Sequence, residues 1–341
     1  MPTDRRPLVI LKPAPQSRDR IFTPEALRRL RDAFRVVDLE DDPNPDSFTA
    51  ALPDAFAIIG QPDLPTEVLN AASQLKAIVN VEGNFFSNVD YPTAFARGIR
   101  VLGCGGAYSQ AVAEFSLALA LDLARGISRE DRAARHGGER YVADGNDDAI
   151  LLRHASIGIL GYGNIGRALH PLLIPFHPTI RVYDPWLPAA VLRDAGLRPA
   201  SLEETLQASQ FVFVFATATA ESEHLLNAAN LDLLSNKARL ILVSRAAVAD
   251  YDALLERVHS GQLLAGIDVW PTEPIPANSP FRAEDGVIIS GHRAGGIPEA
   301  FHSIGDMVCD DLELMSRGLP PARLQVAAPE LVGRYRNRPV S

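Results

Sequence analysis

Near the middle of the chain an apolar run, Ser156-Ile-Gly-Ile-Leu160, passes directly into Gly161-Tyr-Gly163-Asn-Ile-Gly166 and then into Arg167–Phe176, which has helical spacing. Few short patterns constrain a fold as much as a G-x-G-x-x-G that closes a strand and opens a helix. Gly161 permits a tight turn, Gly163 lets a pyrophosphate approach the backbone, and Gly166 lets the helix pack closely on the strand. The helix N-terminus adds unpaired N–H groups and the positive end of its dipole. The next β-rich run, Ile180-Arg-Val-Tyr-Asp184, ends in an acid 18 residues after Gly166. A carboxylate there accepts hydrogen bonds from ribose hydroxyls and repels a 2′-phosphate, so the expected dinucleotide is NAD rather than NADP. A glycine-rich turn with a chance acid is the bland alternative, and it does not account for the strand and helix on either side. Pro171 inside the helix removes one backbone bond and predicts a kink.

The same alternation runs along the whole chain, which predicts β-α units and parallel sheets. Early strands are expected at Leu8–Leu11, Arg35–Leu39, Ala57–Ile59, Ala77–Val81 and Arg100–Leu102. Pro24–Phe34 reads as a helix with proline in its first turn. Gln110–Gly126, rich in Ala and Leu, reads as a buried helix ended by Arg125 and Gly126. A polar stretch, Ser128–Asp148, follows. Six later strands are then expected at Ser156–Leu160, Ile180–Asp184, Phe211–Phe215, Leu240–Val243, Leu264–Asp268 and Val287–Ser290, enough for a doubly wound sheet. The last helix, Ile304–Arg317, places Ile304, Met307, Val308, Leu312 and Met315 on one face. The tail carrying Arg334, Arg336 and Arg338 is expected to run over the surface.

Composition narrows the class. With 341 residues the chain has room for about two domains. Its 33 Lys+Arg against 42 Asp+Glu, with no basic block, argue against a nucleic-acid partner. Apolar runs such as Phe211–Ala216 fall far short of the ~20 residues that span a bilayer, and the first twelve residues lack a signal-peptide core. Cys104 and Cys309 are too few for a disulfide framework or a Cys-rich zinc site, so a reducing, cytoplasmic setting is expected. His154, His170, His177, His224, His259 and His302 show no metal-ligand spacing, and no metal is expected.

In open α/β sheets ligands bind beyond the carboxyl ends of the strands. Three late strands each deliver an ionisable residue there: Arg245, Glu273 and His292. An arginine can hold a carboxylate bidentately, a histidine can give or take a proton near neutral pH, and a carboxylate can orient the imidazole and favour its charged form. Each also has a bland reading. Arg245 could cap a helix or pair with Asp268, Glu273 could be an ordinary loop acid, and His292 could sit in a turn. Their joint placement favours a site.

These motifs, in this order, resemble the D-isomer-specific 2-hydroxyacid dehydrogenases. The resemblance is carried by Asn88-Val-Asp-Tyr-Pro-Thr-Ala-Phe-Ala-Arg-Gly-Ile-Arg-Val101, Ala111-Val-Ala-Glu-Phe-Ser-Leu-Ala-Leu119 and the glycine loop with Val182-Tyr-Asp-Pro185. It continues through Ser244-Arg245 with Val248-Ala-Asp250, Ala265-Gly-Ile-Asp-Val-Trp-Pro-Thr-Glu-Pro274 and Gly291-His-Arg-Ala-Gly-Gly296. It covers about Ala77 to Asp311. It implies a Rossmann cofactor domain, 108–296, inserted into a flavodoxin-like substrate domain, 1–107 plus 297–341. It further implies a cleft closing over NAD and a small 2-oxo or 2-hydroxy acid, and a homodimer formed through the cofactor domains.

By that resemblance Arg245, Glu273 and His292 are the catalytic set. The cofactor would meet Gly161, Gly163, Asn164, Ile165, Gly166, Asp184, Ala216, Thr217, Ser244, Asp268 and Gly295, with Asp268 facing the nicotinamide amide. The substrate would meet Glu82, Gly83, Asn84, Arg245 and His292. The expected activity is interconversion of a 2-oxo acid and a D-2-hydroxy acid by hydride transfer. An NAD-binding, corepressor-like scaffold of the same fold is the alternative. Glu273 argues against formate oxidation, where the corresponding position is Gln. The chain departs from the family pattern at several places. In the substrate loop Phe85 replaces a glycine and Glu82 adds a charge, so Phe85 and Phe86 are expected to narrow or line the pocket. Leu242 and Ala246 replace the Asn and Gly that usually flank the arginine, and Ala216-Thr-Ala-Thr219 lacks a common proline.

Overall fold

The computed structural model describes residues 4–44 and 46–335. In chain order β1 (Leu8–Lys12), β2 (Arg35–Asp38), β3 (Ala55–Gly60), β4 (Ala77–Asn80) and β5 (Arg100–Gly103) come first. Next come β6 (Ser156–Leu160), β7 (Thr179–Tyr183), β8 (Arg198–Pro199), β9 (Phe211–Val214), β10 (Ala238–Leu242), β11 (Leu263–Ile267) and β12 (Val287–Ile289), and last β13 (Gln325–Val326). The chain is α/β with two sheets and divides into two compact units, 1–108 with 296–341, and 109–295.

The first unit holds the sheet β13-β5-β4-β3-β1-β2, parallel throughout except for β13, which pairs antiparallel with β5. Without β13 this is the flavodoxin-like 2-1-3-4-5 order. Strands covered on both faces read as continuous apolar runs, and β1, β3 and β4 are buried almost throughout. One layer of core combines Val9, Leu11 and Leu30 with Ile304, Met307, Val308 and Leu312. The last four lie on the helix Pro298–Ser316, the face expected from their spacing, though the helix starts six residues earlier than expected. Proline suits its first turn, and Ala300 there is buried. The buried Asp311 carboxylate on this helix accepts the N–H groups of Ala322, Arg323 and Leu324 at 2.7–3.1 Å, tying down the segment that leads to β13. Phe85 and Phe86 lie in the loop after β4. Both are buried, Phe85 in the core beneath Gly103, where a Cβ would come 3.3 Å from its ring.

The second unit holds the parallel sheet β12-β11-β10-β9-β6-β7-β8. Six strands were expected there. The seventh, β8, is a two-residue edge strand ending in Pro199, and edges are where proline is tolerated. Counted from β6 the order is 3-2-1-4-5-6 with one more strand, the doubly wound dinucleotide-binding arrangement. The helix Ser109–Arg125 ends at Gly126, which is left-handed (φ +65°) as its position predicts. Leu119 on that helix packs against Gly266 of β11, where a Cβ would come 3.2 Å from its side chain. The stretch read only as polar contains a further helix, Ile127–Arg135, with an Arg135–Asp131 pair one turn apart and no buried residue. Pro171 lies in the last turn of the helix Asn164–Leu173, which runs on into a 3-10 turn, Ile174–Phe176, so the missing N–H falls where the helix is already ending.

Arg334 follows the short helix Pro329–Val332, while Arg336 and Arg338 lie outside the described residues. Among the described residues no helix is long and apolar enough to cross a membrane, and no group of three His, Cys, Asp or Glu side chains is placed to hold a metal.

Candidate active site

The three candidate residues follow three neighbouring strands. Arg245 lies past β10, Glu273 past β11 and His292 past β12, and the parallel pairing of these strands brings their carboxyl ends side by side. Glu273 and His292, 19 residues apart in the chain, meet directly: Nδ1 of His292 is 2.8 Å from Oε2 of Glu273. An ionised carboxylate only accepts, so Nδ1 carries a hydrogen and Nε2 is the ring atom left for proton exchange. The other oxygen of Glu273, Oε1, accepts the Trp270 N–H at 2.9 Å, which fixes the carboxylate from its own loop. Both side chains are partly open, at 27% and 31% exposure, so solutes can reach the pair.

His292 has φ +51°, a left-handed conformation that β-carbon sterics make uncommon outside glycine. Strain of this kind persists only where the surroundings hold it. Here the His292 N–H donates to the Asp268 carbonyl at 2.7 Å, and the Arg293 and Ala294 N–H groups donate to the two Asp268 carboxylate oxygens at 3.0 Å. Asp268 is fully buried. Through these bonds the carboxylate anchors the histidine loop.

Trp270 is a residue that sequence reasoning quoted within a motif but gave no role. Its indole N–H donates to the Ser290 carbonyl at 2.7 Å, joining the glutamate loop to the strand end that delivers His292. Its ring packs against Tyr251 and Phe281, with centroids 5.9 and 5.4 Å away. The Tyr251 hydroxyl donates to the Val269 carbonyl. Burial, with the charge of Glu273 adding to it, pushes that hydroxyl well above its ordinary range and keeps it a neutral donor. A large aromatic three residues before a candidate acid was the available signal. Arg245 itself is extended, and its Nη1 donates to the Ser244 carbonyl at 2.7 Å.

The glycine loop has the shape its spacing predicts. Gly161 has φ +92°, and a Cβ there would come 2.9 Å from the Ala216 nitrogen. At Gly166 a Cβ would come 3.0 Å from the Gly161 carbonyl oxygen. Gly163 differs: a Cβ would meet nothing within 4 Å, so the protein's own atoms do not demand glycine there. It is the N-cap of the helix that begins with Asn164, Ile165 and Gly166, whose first N–H groups have no partner within the helix. Open space over such an N-terminus fits a pyrophosphate. Asp184 accepts the Tyr162 N–H at 2.8 Å and the Trp186 N–H at 2.9 Å, which holds the acid beside the loop. Tyr162 is itself locked, its hydroxyl 3.1 Å from His170 Nδ1 and its ring under Arg167.

Ala216 and Thr217 follow β9, in the same row of strand ends, and the Thr217 carbonyl accepts the Ser222 hydroxyl. Ser244, past β10, has a buried Oγ with no hydrogen-bond partner among the described residues, an unmet polar atom that a ligand would satisfy. Gly295 closes the second unit. Glu82, Gly83 and Asn84 belong to the first unit and follow β4.

Residues 117–294 match the family "D-isomer specific 2-hydroxyacid dehydrogenase, NAD binding domain". The chain is 30% identical over 279 residues to the glyoxylate reductase of Thermofilum pendens, covering 79% of this chain and 80% of that protein. It is 27% identical over 269 residues to the D-3-phosphoglycerate dehydrogenase of Archaeoglobus fulgidus, covering 78% of this chain but 50% of that longer protein. The fold matches a phosphoglycerate oxidoreductase from Rhizobium etli with a TM-score of 0.86 and 42% identity, over 95% of this chain and 99% of the other.

Proposed function

The chain belongs to the D-isomer specific 2-hydroxyacid dehydrogenase family and carries its NAD-binding domain, and from that premise we propose that it reduces a 2-oxo acid to the D-2-hydroxy acid, or runs the reverse. The observation that carries this reading is the 2.8 Å pair of His292 and Glu273 beside the strand end of Arg245. When bound, the dinucleotide supplies or accepts the hydride at C2. Arg245 holds the substrate carboxylate and polarises the C2 oxygen. His292 delivers the proton from Nε2 to that oxygen on reduction and takes it back on oxidation. Glu273 keeps the ring in the required tautomer and balances its positive charge.

In this reading the unit 109–295 is the cofactor domain and the remainder the substrate domain. Gly161, Gly163, Asn164, Ile165 and Gly166 hold the pyrophosphate, Ser244 lies along the cofactor, and Asp184 takes the ribose and favours NAD over NADP. The relatives' names, glyoxylate reductase and phosphoglycerate dehydrogenase, share this 2-oxo/2-hydroxy acid chemistry. A homodimer through the cofactor domain is supported by Ile127, Tyr141, Val142 and Leu151, apolar side chains more than half exposed along one stretch. The test is a panel of 2-oxo acids with NADH and NADPH, followed at the nicotinamide absorbance. NADH-preferring turnover is expected, and binding of NADH without turnover of any 2-oxo acid would reject the reading.

A further inference from the structure

We propose that Trp270 is a positioning residue for the acid–base pair: its indole N–H, bonded to the Ser290 carbonyl, fixes where Glu273 meets His292. The inference deepens the reading above and rests on its assignment of His292 as the group that gives and takes the proton.

The main chain of His292 is already held by Asp268, so the group that remains to be placed is the glutamate. Glu273 lies in an irregular loop past β11. Pro271 and Pro274 carry no N–H, and among the described residues no hydrogen bond between two main-chain groups holds 269–274. Side chains therefore place this loop. The Trp270 indole N–H donates to the Ser290 carbonyl at 2.7 Å. The Trp270 main-chain N–H donates to Glu273 Oε1 at 2.9 Å, and Glu273 Oε2 accepts His292 Nδ1 at 2.8 Å. Ser290 stands two residues before His292, so these bonds close a ring that starts and ends on one strand end.

A closed ring resists drift, because any shift of the glutamate loop stretches one of its bonds. The indole that closes it is itself fixed. It is 5% exposed and shares a mutually touching trio with Tyr251 and Phe281, with ring centroids 5.4–5.9 Å apart. Tyr251 opens the helix that follows β10, and Phe281 lies in the turn that leads into β12. The Tyr251 hydroxyl also holds the Val269 carbonyl, next to Trp270. Remove the indole N–H and the ring opens. The trio can survive that loss, but the glutamate is then free to move relative to the imidazole, and a misplacement of ~1 Å can cost about 10²-fold in rate.

The test measures single-turnover rates and KM for reduction of glyoxylate, hydroxypyruvate and phenylpyruvate by NADH, with melting temperatures. The proteins are the wild type, Trp270→Phe, Trp270→Leu, Glu273→Gln and the double variant of Trp270→Phe with Glu273→Gln. Trp270→Phe keeps a ring for the trio and removes the N–H. It should melt close to the wild type, while the rate falls roughly tenfold and KM stays within about twofold. Trp270→Leu loses ring and N–H together and should also melt lower. In the Glu273→Gln background, where no carboxylate is left to place, Trp270→Phe should cost less than about twofold. That comparison of backgrounds, made at a temperature where all the proteins are folded, decides the matter even if phenylalanine lowers the melting temperature. A tryptophan that serves stability alone would be rescued in rate by phenylalanine, or would slow both backgrounds equally. Either result overturns the proposal while leaving the dehydrogenase reading standing. No turnover of any 2-oxo acid by the wild type overturns both.

Discussion

Asp268 grips His292 through the main chain: its carbonyl takes the His292 N–H at 2.7 Å while its carboxylate takes the next two N–H groups, of Arg293 and Ala294. The imidazole is thus aimed by a buried acid that does not touch the ring in any of these bonds. Asp268→Ala would leave two N–H groups without acceptors, one of them, that of Ala294, buried. The expected loss of stability is about 2–4 kcal/mol, read from the shift of the urea midpoint. Asp268→Asn keeps one acceptor and should lose less. A midpoint unchanged in the alanine variant would show that the loop holds its left-handed histidine by other means.

Glu273 and His292 should behave as one unit in catalysis. His292→Ala should slow 2-oxo acid reduction by roughly 10²–10⁴-fold. Glu273→Gln should slow it too, because an amide balances no charge on the ring. Groups that act together are non-additive, so the double variant should be little slower than His292→Ala alone. Single-turnover rates for the four proteins check this. Fully multiplicative effects would separate the two residues.

The glycines of the loop predict opposite outcomes for the same substitution. Gly161→Ala forces a Cβ to 2.9 Å from the Ala216 nitrogen in a left-handed backbone, and should lower the melting temperature. Gly163→Ala meets no protein atom within 4 Å and should leave the melting temperature nearly unchanged. Its methyl group instead occupies the approach to the helix N-terminus, so the Kd for NADH, followed by nicotinamide fluorescence, should rise by at least tenfold. Unaltered NADH affinity in Gly163→Ala would move the pyrophosphate elsewhere.

Neither thiol should react in the native protein. Burial pushes the Cys104 thiol far above its usual range, and pushes that of Cys309 up to about 12. The thiolate is the reactive form, so a disulfide reagent should label both cysteines only as denaturant unfolds the chain. Rapid labelling of either one without denaturant would place it at the surface.

The strand pattern was readable because a sheet covered on both faces needs apolar runs, and β1, β3, β9 and β10 provide them. What escaped lacked that signal. β8 and β13 are two residues long, and the helix Ile127–Arg135 is rich in charge and buries no residue. Phe85 lies where a substrate loop was expected, and only the packing against Gly103 reveals it as core. Asp268 was noticed as an acid at a strand end, but its partners are backbone groups 25 and 26 residues away, which no local pattern announces.

The order of residues by itself determined the two-sheet α/β class, the glycine loop with its acid, and the three candidate side chains, because sterics, periodicity and strand ends act over neighbouring positions. Tertiary structure alone decided which groups meet. The carboxylate at 273 reaches the imidazole at 292 only because β11 and β12 lie side by side, and the acid at 268 meets the N–H groups of Arg293 and Ala294 only because the loop after β12 folds back over the end of β11.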